Sequence, residues 1–324
     1  MRIFIFEHVC GGGMVRQVLD KALVQQAVAM LKAVADDFMS AGVQVLTTLD
    51  HRIDLALDGA QVLIATDEEP VDPVIDQLAA EADWALLIAP EFDRILETWS
   101  EKLTAAGARR LGSGPEAVAM CADKLGFARL MVDAAVPTPP TSRLDPRREI
   151  DQPMVVKRRR GAGCEEVYLC RTRDELAALP VARDWIVQPY VNGLPVSASL
   201  IVRRDKRRRL LVSRQLIEQN HRLTYHGGCM PVEAALADRA FALAEQAIGR
   251  VTGLHGFVGV DMILCDNPAD DVVIEINARP TMSYVGLRHL CKTSVAMALI
   301  DPAAPLDWRD GPVQFDESGR IQTP

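Results

Sequence analysis

Two consecutive runs near the C-terminal end of the chain decide the fold, Gly259-Val260-Asp261-Met262-Ile263-Leu264 and Val272-Val273-Ile274-Glu275-Ile276-Asn277-Ala278-Arg279-Pro280. Both runs are apolar and rich in β-branched residues, and a turn-forming segment at residues 266–270 separates them, so the pattern predicts a β-hairpin. Because side chains on one face of a strand recur at every second residue, Glu275 and Asn277 project to the same side, with Arg279 next in register. Asp261 on the first strand can face them. The hairpin therefore predicts a cluster of two carboxylates, one amide and one guanidinium.

The predicted cluster on the hairpin offers oxygen ligands to a cation. Hard oxygen donors without sulfur or imidazole suit Mg²⁺, which usually takes one or two carboxylates and completes its shell with water and substrate phosphates, and Mn²⁺ is the alternative ion. An arginine beside a phosphate-binding metal spreads the charge that develops during phosphoryl transfer. The alternative reading is a surface strand with solvated polar residues. It is disfavoured because an acid, an amide and a base that interrupt one apolar strand are costly to bury without a ligand.

The composition is that of an ordinary soluble globular protein. The 324 residues, 49% hydrophobic and 25% charged, are enough for two or three packed units. The formal net charge of −8 argues against non-specific binding to nucleic acid or to membranes, and no apolar run approaches the roughly 18 to 20 residues that cross a bilayer. Seven cysteines without a C-x-x-C pair predict reduced thiols in a cytoplasm. We therefore expect a cytoplasmic protein with small-molecule partners, no nucleic acid and no membrane, and a homodimer as the default oligomer.

The N-terminal third alternates strand and helix patterns. An apolar strand pattern at residues 2–6 leads into Gly11-Gly12-Gly13, and helical periodicity then runs from Met14 to Phe38. Further strand patterns lie at residues 43–48, 61–65 and 84–89. This alternation predicts a parallel α/β unit that ends near residue 110. A glycine segment before a helix can hold a phosphate or a carboxylate, but the dinucleotide spacing G-x-G-x-x-G is absent. An anion site, an NAD site and glycines that only let the chain turn therefore all stay open.

The middle of the chain carries basic residues at the ends of predicted elements. A helix pattern over residues 116–135 contains Lys124, and a strand pattern at residues 154–157 ends at Lys157. The basic loop that follows, Arg158 to Cys164, can fold its N–H groups and cations over a polyphosphate, and a solvated charged turn is the alternative. The remaining predicted elements are strands at 166–170 and 185–191, a hairpin at 196–216, a loop at 217–231, helices at 238–252 and 283–299, and a loosely ordered tail after residue 301.

Taken in chain order, these features resemble the ATP-grasp family over about residues 111 to 300. The matching features are Lys124, Lys157, Arg160-Gly161-Ala162-Gly163, Gln188-Pro189-Tyr190-Val191, Asp261 and Glu275-Ile276-Asn277-Ala278-Arg279. The resemblance implies an α/β and α+β architecture, in which an ATP-grasp fold follows an N-terminal parallel α/β domain, the pre-ATP-grasp domain. We expect that domain over residues 1–110, the small ATP-grasp subdomain with its hinge strand over 111–191, and the C-terminal subdomain with the metal site over 192–324.

The resemblance also implies roles for individual residues. ATP would be bound by Lys124, Lys157, Gly161, Gly163, Gln188, Tyr190 and Val191, with the two lysines on the phosphates and the last three residues at the adenine. Mg²⁺ would be held by Asp261, Glu275 and Asn277, and the catalytic residues would be Arg279, at the transferred phosphoryl group, and Lys157. Family members often carry an acidic residue after the hinge for the ribose, whereas Leu194-Pro195-Val196 is apolar here. The ribose contact is therefore unassigned.

A narrower resemblance concerns the substrates. Phe6-Glu7 with the glycine segment, Tyr225-His226-Gly227-Gly228, and the segment from Asn277 to Gly286 look most like the tyramine–glutamate ligases of methanofuran and methylofuran biosynthesis. This resemblance implies that the carboxylate of glutamate is joined to the amine of tyramine, tyrosine or a similar acceptor. The expected substrate-binding residues are Glu7, Gly11, Gly12, Gly13, Gly227, Gly228 and Tyr284.

The expected activity is an ADP-forming carboxylate–amine ligase. Such an enzyme activates a carboxylate as an acyl phosphate, with ATP as the phosphoryl donor, and an amine then displaces the phosphate. Because an acyl phosphate hydrolyses in water, the Arg158 to Cys164 loop is the expected lid. The alternatives are another amino-acid or dipeptide ligase, a carboxylase, an ATP-binding regulatory protein without catalysis, and an NAD oxidoreductase built on the N-terminal glycines.

Overall fold

The N-terminal part of the chain forms a parallel four-stranded sheet with strand order β3-β2-β1-β4. The computed structural model describes residues 1–161, 163, 166–180, 184–204 and 206–322. The strands are β1 (Arg2–Glu7), β2 (Gln44–Asp50), β3 (Gln61–Ala65) and β4 (Trp84–Ile88). The helices are α1 (Lys21–Ser40), α2 (Asp72–Glu81) and α3 (Ile95–Ala105), and a one-turn 3₁₀ helix, Phe92–Arg94, precedes α3. The predicted parallel α/β unit is confirmed, with a core built on the fully buried residues 3–6 of β1.

The prediction that α1 begins at Met14 is wrong. Residues 8–16 form consecutive turns, and the helix begins only at Lys21. The Gly11 N–H donates to the Glu7 carbonyl at 2.7 Å, which closes the first turn, and the Asp20 carboxylate caps the helix by accepting from the Leu23 N–H at 2.9 Å. The glycine segment therefore does not abut a helix N-terminus.

The second sheet is antiparallel, with strand order β5-β8-β6-β7. Its strands are β5 (Ser142–Arg143), β6 (Met154–Arg158), β7 (Val167–Cys170) and β8 (Trp185–Pro189), and the helices of this part are α4 (Pro115–Ala122), α5 (Lys124–Asp133) and α6 (Arg173–Ala177). The single helix predicted over residues 116–135 is divided at Asp123. The Asp123 carboxylate accepts from the Gly126 N–H at 3.0 Å, so it ends α4 and caps α5. Lys124 consequently lies at the start of α5.

The third sheet has seven strands in the order β13-β12-β9-β10-β11-β14-β15. These are β9 (Leu194–Arg203), β10 (Lys206–Gln219), β11 (Leu223–Met230), β12 (Gly256–Leu264), β13 (Val272–Asn277), β14 (Val313–Phe315) and β15 (Ile321–Gln322). The helices are α7 (Ala234–Ile248), α8 (Ser283–Leu290) and α9 (Val295–Ile300), and a one-turn 3₁₀ helix, Pro268–Asp270, joins β12 to β13. The predicted hairpin is confirmed as β12–β13.

Three expectations for this part of the chain are wrong. The predicted loop at residues 217–231 belongs to the paired strands β10 and β11, and the helix predicted over 283–299 is two helices, with Ser294 capping the second. The predicted loose tail adds β14 to β11, and Val313 and Phe315 are fully buried. Only tertiary pairing can stabilise so short a strand, which is why the tail pattern gave no strand signal.

The three sheets succeed one another along the chain. They occupy residues 2–88, 142–189 and 194–322, although α4 packs on both α3 and β13 and so bridges the first and third sheets. The predicted domain limits therefore remain a prediction. Within the described ranges no helix is long and apolar enough to cross a membrane.

Candidate active site

The β12–β13 hairpin places its polar side chains on one face. Asp261 pairs with Glu275 in register, and Gly259 pairs with Asn277. The Asn277 amide donates to the Asp261 carboxylate at 3.0 Å. Burial, and then the negative charge of Glu275, raise the pKa of Asp261 to about 6. Two partly buried carboxylates are thus held close together.

Lysines neutralise part of this charge. The Lys124 Nζ lies 2.7 Å from the Glu275 carboxylate and donates to the Gly161 carbonyl at 2.9 Å. Burial alone would raise the pKa of Glu275, but the positive charges of Lys124 and Lys157 outweigh burial and lower that pKa below its usual range. Glu275 is therefore ionised between cations from α5 and β6.

Arg279 is held by a carboxylate from the N-terminal part of the chain. Its Nε and Nη2 atoms donate to the two carboxylate oxygens of Glu91, each at 2.7 Å, and its Nη1 atom donates to the Pro280 carbonyl at 3.2 Å. The side chains of Arg279 and Glu91 are only 11% and 7% exposed. Because a guanidinium has five N–H groups, two remain for a further acceptor.

The predicted ATP-binding residues come together around one cavity of about 150 Å³, which we call the nucleotide cavity. All seven line it: Lys124, Lys157, Gly161, Gly163, Gln188, Tyr190 and Val191. Its apolar walls include Val155, Val167, Met262, Ile263 and Ile274. Apolar walls of this kind suit a purine ring.

Two hinge residues are fixed by hydrogen bonds beside the nucleotide cavity. The Gln188 amide donates to the Thr141 hydroxyl at 2.7 Å, and the Tyr190 hydroxyl donates to the Gln219 side chain at 2.7 Å. The Tyr190 backbone N–H is already engaged with the Pro153 carbonyl at 2.8 Å. Contacts from the hinge backbone to an adenine edge would therefore come from residues other than Tyr190.

A larger cavity of about 490 Å³, which we call the substrate cavity, adjoins the first. Five residues line both cavities: Gly163, Gln215, Leu223, Asp261 and Glu275. Asn277 and Arg279 line the substrate cavity alone. The hairpin face is therefore the floor where the two cavities meet.

Glu7 is the one predicted substrate-binding residue that lines the substrate cavity. It ends β1, is 1% exposed, and accepts a hydrogen bond from the Cys10 N–H at 2.7 Å. Burial raises the pKa of Glu7 to about 7, although the Cys10 hydrogen bond opposes that rise. Near neutral pH this carboxyl group can hold or release a proton.

The structure places the other six predicted substrate residues outside the cavity lining. A side chain at Gly11, Gly12 or Gly13 would approach the Glu7 carbonyl, Ala65 or His8 to within 2.4 Å, so these glycines serve close packing. A Cβ atom at Gly227 would lie 1.9 Å from the Phe315 carbonyl, and one at Gly228 would lie 2.7 Å from the Phe315 ring. The glycines of β11 therefore make room for the tail strand β14.

Tyr284 also lies away from the substrate cavity. Its side chain is fully buried, and its hydroxyl donates to the Asp37 carboxylate at 2.7 Å. This contact ties α8 to α1 across the core. The expectation that Tyr284 contacts a substrate is therefore not supported by its position.

Several residues of the site were not predicted from the sequence. Glu91, which holds Arg279, follows β4 at the carboxyl end of a parallel strand, where ligand-binding residues commonly lie, so its position could have indicated it. Arg222 and Tyr225 line the substrate cavity from β11 and the turn before it. The sequence predicted Gly227 and Gly228 as the substrate-binding residues of this segment, whereas Arg222 and Tyr225 are the ones that line the cavity.

The hairpin residues fit a divalent cation. Asp261 and Glu275 repel each other in a buried setting, and a cation between them would relieve that repulsion. The donors that the hairpin offers are carboxylate and amide oxygens, which Mg²⁺ accepts together with phosphate and water. Asp261, Glu275 and the Asn277 oxygen are the residues that would hold it.

The expected lid, Arg158 to Cys164, is only partly within the described residues, because Ala162 and Cys164 lie outside them. Arg159 pairs with Asp123, with its Nε atom 2.6 Å from the carboxylate, and Arg160 lies 3.3 Å from the Glu97 carboxylate. These pairs join the loop to α5 and α3. Its role as a lid stays a prediction.

Comparison with known proteins agrees with this geometry. The ATP-grasp domain family matches residues 121–283, and the pre-ATP-grasp 3 domain family matches residues 43–118. The chain is 27% identical over 308 residues to the tyramine–L-glutamate ligase of Methanocaldococcus fervens, covering 93% of this chain and 94% of that protein.

Solved structures share the fold. The crystal structure of an ATP-grasp superfamily protein from Archaeoglobus fulgidus superposes with a TM-score of 0.77 at 24% identity, over 97% of this chain and 92% of that one. The N5-carboxyaminoimidazole synthetase of Staphylococcus aureus, crystallised with ADP, superposes with a TM-score of 0.70 at 16% identity, over 97% and 81%. The predicted fold class is confirmed. The chain belongs to the ATP-grasp family, with a pre-ATP-grasp domain before it, and is an enzyme of the ADP-forming carboxylate–amine ligase class.

Proposed function

We propose that the enzyme uses ATP to activate a carboxylate of glutamate and joins it to the amine of tyramine or a similar aromatic amine. The chain is 27% identical to a tyramine–L-glutamate ligase over nearly its full length. The observation that carries the proposal is the meeting of the two cavities at Asp261 and Glu275, which line both. A nucleotide in the smaller cavity would present its terminal phosphate at the edge of the larger one.

The cations at this junction suit phosphoryl transfer. Lys124 and Lys157 lie beside Glu275 on the nucleotide side, and Arg279 lies on the substrate side with two N–H groups remaining for an acceptor. Charge that develops on the transferred phosphoryl group would thus meet positive groups from both sides. When bound between the two carboxylates, Mg²⁺ would further neutralise the phosphate oxygens.

The substrate cavity suits an aromatic amine on its N-terminal side. One wall is apolar and includes Val9, Leu23, Ala27, Met30, Ile88 and Phe92. Glu7 and Asp20 lie on the same side and can face an ammonium group. A volume of about 490 Å³ is in the range that holds small organic ligands. An aromatic ring with an amine at one end satisfies both the apolar wall and the acids.

The proposed chemistry has two steps. A carboxylate oxygen of the acid attacks the γ-phosphorus, the bond to the β–γ bridging oxygen breaks, and ADP leaves with the electron pair. The neutral amine then attacks the acyl carbon, the bond to the phosphate oxygen breaks, and phosphate leaves as an amide forms. An ammonium substrate must lose a proton before it attacks, and Glu7, with a pKa raised to about 7, is suited to accept that proton.

A substrate screen tests the proposal. Purified enzyme with ATP and Mg²⁺ is offered a matrix of acids, including glutamate, other amino acids and bicarbonate, against amines including tyramine, tyrosine and amino acids. ADP release and the mass of the condensed product are measured. We expect the strongest ADP release with glutamate and tyramine, and a product whose mass is their sum less one water.

The same screen distinguishes the alternatives. ADP release only with bicarbonate identifies a carboxylase, and release only with pairs of amino acids identifies a dipeptide ligase. ATP binding without stimulation by any acid or amine identifies a regulatory protein. Each of these outcomes contradicts the proposed substrates.

A further inference from the structure

The substrate cavity has an acidic lining with few cations to offset it. Among the described residues, its lining carboxylates are Glu7, Asp20, Glu166, Asp261, Glu275 and Glu317, and its lining cations are Arg222 and Arg279. Arg279 donates two hydrogen bonds of 2.7 Å to Glu91, so that carboxylate already balances its charge, although two of its N–H groups remain for an acceptor. An acid with two carboxylates would therefore be repelled over most of this surface. Arg222, the other lining cation, can attract a carboxylate.

The position of Arg222 is fixed by the backbone around it. It lies in the turn between β10 and β11, and this turn is attached to the second sheet. The Leu169 N–H donates to the His221 carbonyl at 2.8 Å, and Tyr168 forms an isolated β-bridge with Arg222. The attachment uses backbone groups, so the Arg222 side chain is not required for it.

The Arg222 guanidinium has the chemistry to bind a carboxylate. Its side chain is exposed and lines the substrate cavity, and among the residues that the structure describes no acidic side chain forms an ion pair with it. A planar guanidinium can donate two parallel hydrogen bonds to one carboxylate, which selects both charge and shape. Arg222 thus offers a carboxylate two parallel N–H donors in a cavity whose other charged lining residues are mostly acidic.

We propose that Arg222 binds the carboxylate of the acid substrate that is not phosphorylated, and so selects a dicarboxylic amino acid. The inference rests on the proposed function, because it assumes that glutamate is the acid. One carboxylate lies at the phosphoryl junction beside Glu275 and Arg279, and the other lies on Arg222. The attachment of the β10–β11 turn to β7 holds this second contact in place before the substrate arrives.

The test compares Arg222→Gln with wild-type enzyme on glutamate and on two analogues that each keep one carboxylate, glutamine and 4-aminobutyrate. We expect the KM for glutamate to rise by roughly 10- to 100-fold, as expected for a lost charge-assisted hydrogen bond, with kcat changed by less than about threefold. The KM for ATP should stay unchanged. Whichever analogue the wild-type enzyme accepts should be used equally well by Arg222→Gln, since it lacks the carboxylate that Arg222 binds.

Two controls separate specificity from structure. Arg129→Gln removes an exposed arginine of α5 that lines neither cavity, and it should leave every constant unchanged. Arg222→Lys keeps the charge without the planar fork, and it should recover only part of the affinity for glutamate. Thermal unfolding of each variant reports folding independently of turnover.

The outcomes separate this inference from the proposed function. If wild-type enzyme condenses glutamate and Arg222→Gln keeps the wild-type KM, the Arg222 proposal is wrong and the proposed function stands. An equal loss on glutamate and on the accepted analogue also overturns it, because that pattern indicates a general structural role. If wild-type enzyme accepts only monocarboxylic acids, both proposals are wrong.

Discussion

The two cavities share a floor but are built from different parts of the chain. The nucleotide cavity, about 150 Å³, is lined by residues between Lys124 and Glu275, and its walls include apolar side chains of β6, β7 and the β12–β13 hairpin. The substrate cavity, about 490 Å³, draws its lining from Glu7 in β1 to Glu317 in the tail. The proposed ATP site therefore lies within the ATP-grasp domain, whereas the substrate cavity draws on the whole chain.

This difference sets how substitutions should act. A change on the shared floor should stop the reaction with every substrate, because both cavities depend on it. A change on the nucleotide side should affect all substrates alike through ATP, and a change on the substrate side should discriminate between acids or between amines. The following predictions test that division.

Glu275→Gln should have the largest effect. Glu275 lines both cavities and is ionised between Lys124 and Lys157, so an amide would remove the negative group that both lysines and a divalent cation would use. We expect ADP release that depends on both substrates to fall by about 1,000-fold, the upper range for losing one preorganised electrostatic group. The folded state should persist by thermal unfolding.

The control for that loss is Glu245→Gln, which breaks an exposed ion pair with Arg209 outside both cavities. It should retain wild-type turnover. Turnover of Glu275→Gln at the wild-type rate would show that the shared floor is not where phosphate is handled.

Glu7→Gln should change how stability depends on pH. Burial raises the pKa of Glu7 from 4.5 to about 7, so the folded protein binds this proton more tightly than the unfolded chain does. The resulting stabilisation is complete below about pH 4.5 and is lost as the pH rises through about 7. Glutamine keeps an acceptor for the Cys10 N–H but carries no charge. The variant should therefore gain up to about 3 kcal/mol over wild type at pH 8, and much less at pH 5.

Urea unfolding of both proteins at pH 5 and pH 8 measures that difference. An equal difference in unfolding free energy at the two pH values would mean that Glu7 ionises normally. The proton-accepting role of Glu7 would then lose its basis, because its carboxylate would be ionised and only weakly basic near neutral pH.

Glu91→Gln should reduce turnover through Arg279. The amide keeps one of the two hydrogen bonds and loses the charge, so the guanidinium is oriented less firmly. We expect kcat to fall by roughly 10- to 100-fold while the KM for ATP stays within about threefold, because Arg279 lines only the substrate cavity. Steady-state kinetics with the acid and the amine saturating and ATP varied measure kcat and the KM for ATP separately.

A matched control is Asp271→Asn. Arg239 donates to both oxygens of Asp271, at 2.7 and 3.1 Å, and neither residue lines a cavity. This variant should lose stability but keep kcat. If Glu91→Gln also lost only stability, Glu91 would be a structural partner of Arg279 and not a positioning residue.

The nucleotide cavity was largely predictable because its signals are local. The period of two along β12 and β13 fixes the face on which Asp261 and Glu275 lie, whatever the rest of the chain does. Lys157 lies one residue before the end of β6, and Gly161 follows in a basic loop, so short spacing again carries the information. The structure keeps these local relations as the sequence predicts them.

The substrate cavity was mostly not predictable because its signals are long-range. A glycine that lines a ligand and a glycine that lets another strand approach have the same sequence pattern, and only Phe315, nearly ninety residues away, shows which kind Gly227 is. Glu91 and Arg279 are 188 residues apart and meet only through the packing of two sheets. The break at Asp123 and the tail strand likewise depend on tertiary contacts that propensity does not report.

Tyr284→Phe tests whether packing, rather than substrate contact, explains Tyr284. A substrate role predicts a changed KM, and a packing role predicts a loss of stability. The Tyr284 hydroxyl donates to Asp37, which is fully buried and also accepts from the Ala296 N–H at 2.9 Å. Phenylalanine fills the same space but leaves the carboxylate short of one donor, so we expect a loss of about 1 to 3 kcal/mol of unfolding free energy. The KM values for acid, amine and ATP should not change.

Tyr225→Phe is the matched comparison, because Tyr225 lines the substrate cavity. It should alter a substrate KM, which Tyr284→Phe should leave unchanged. A raised substrate KM in Tyr284→Phe with unchanged stability would mean that α8 presents this residue to the substrate. The surface that binds the amine would then include Tyr284 of α8, and Tyr284 would have to be counted among the substrate-binding residues rather than in the core next to α1.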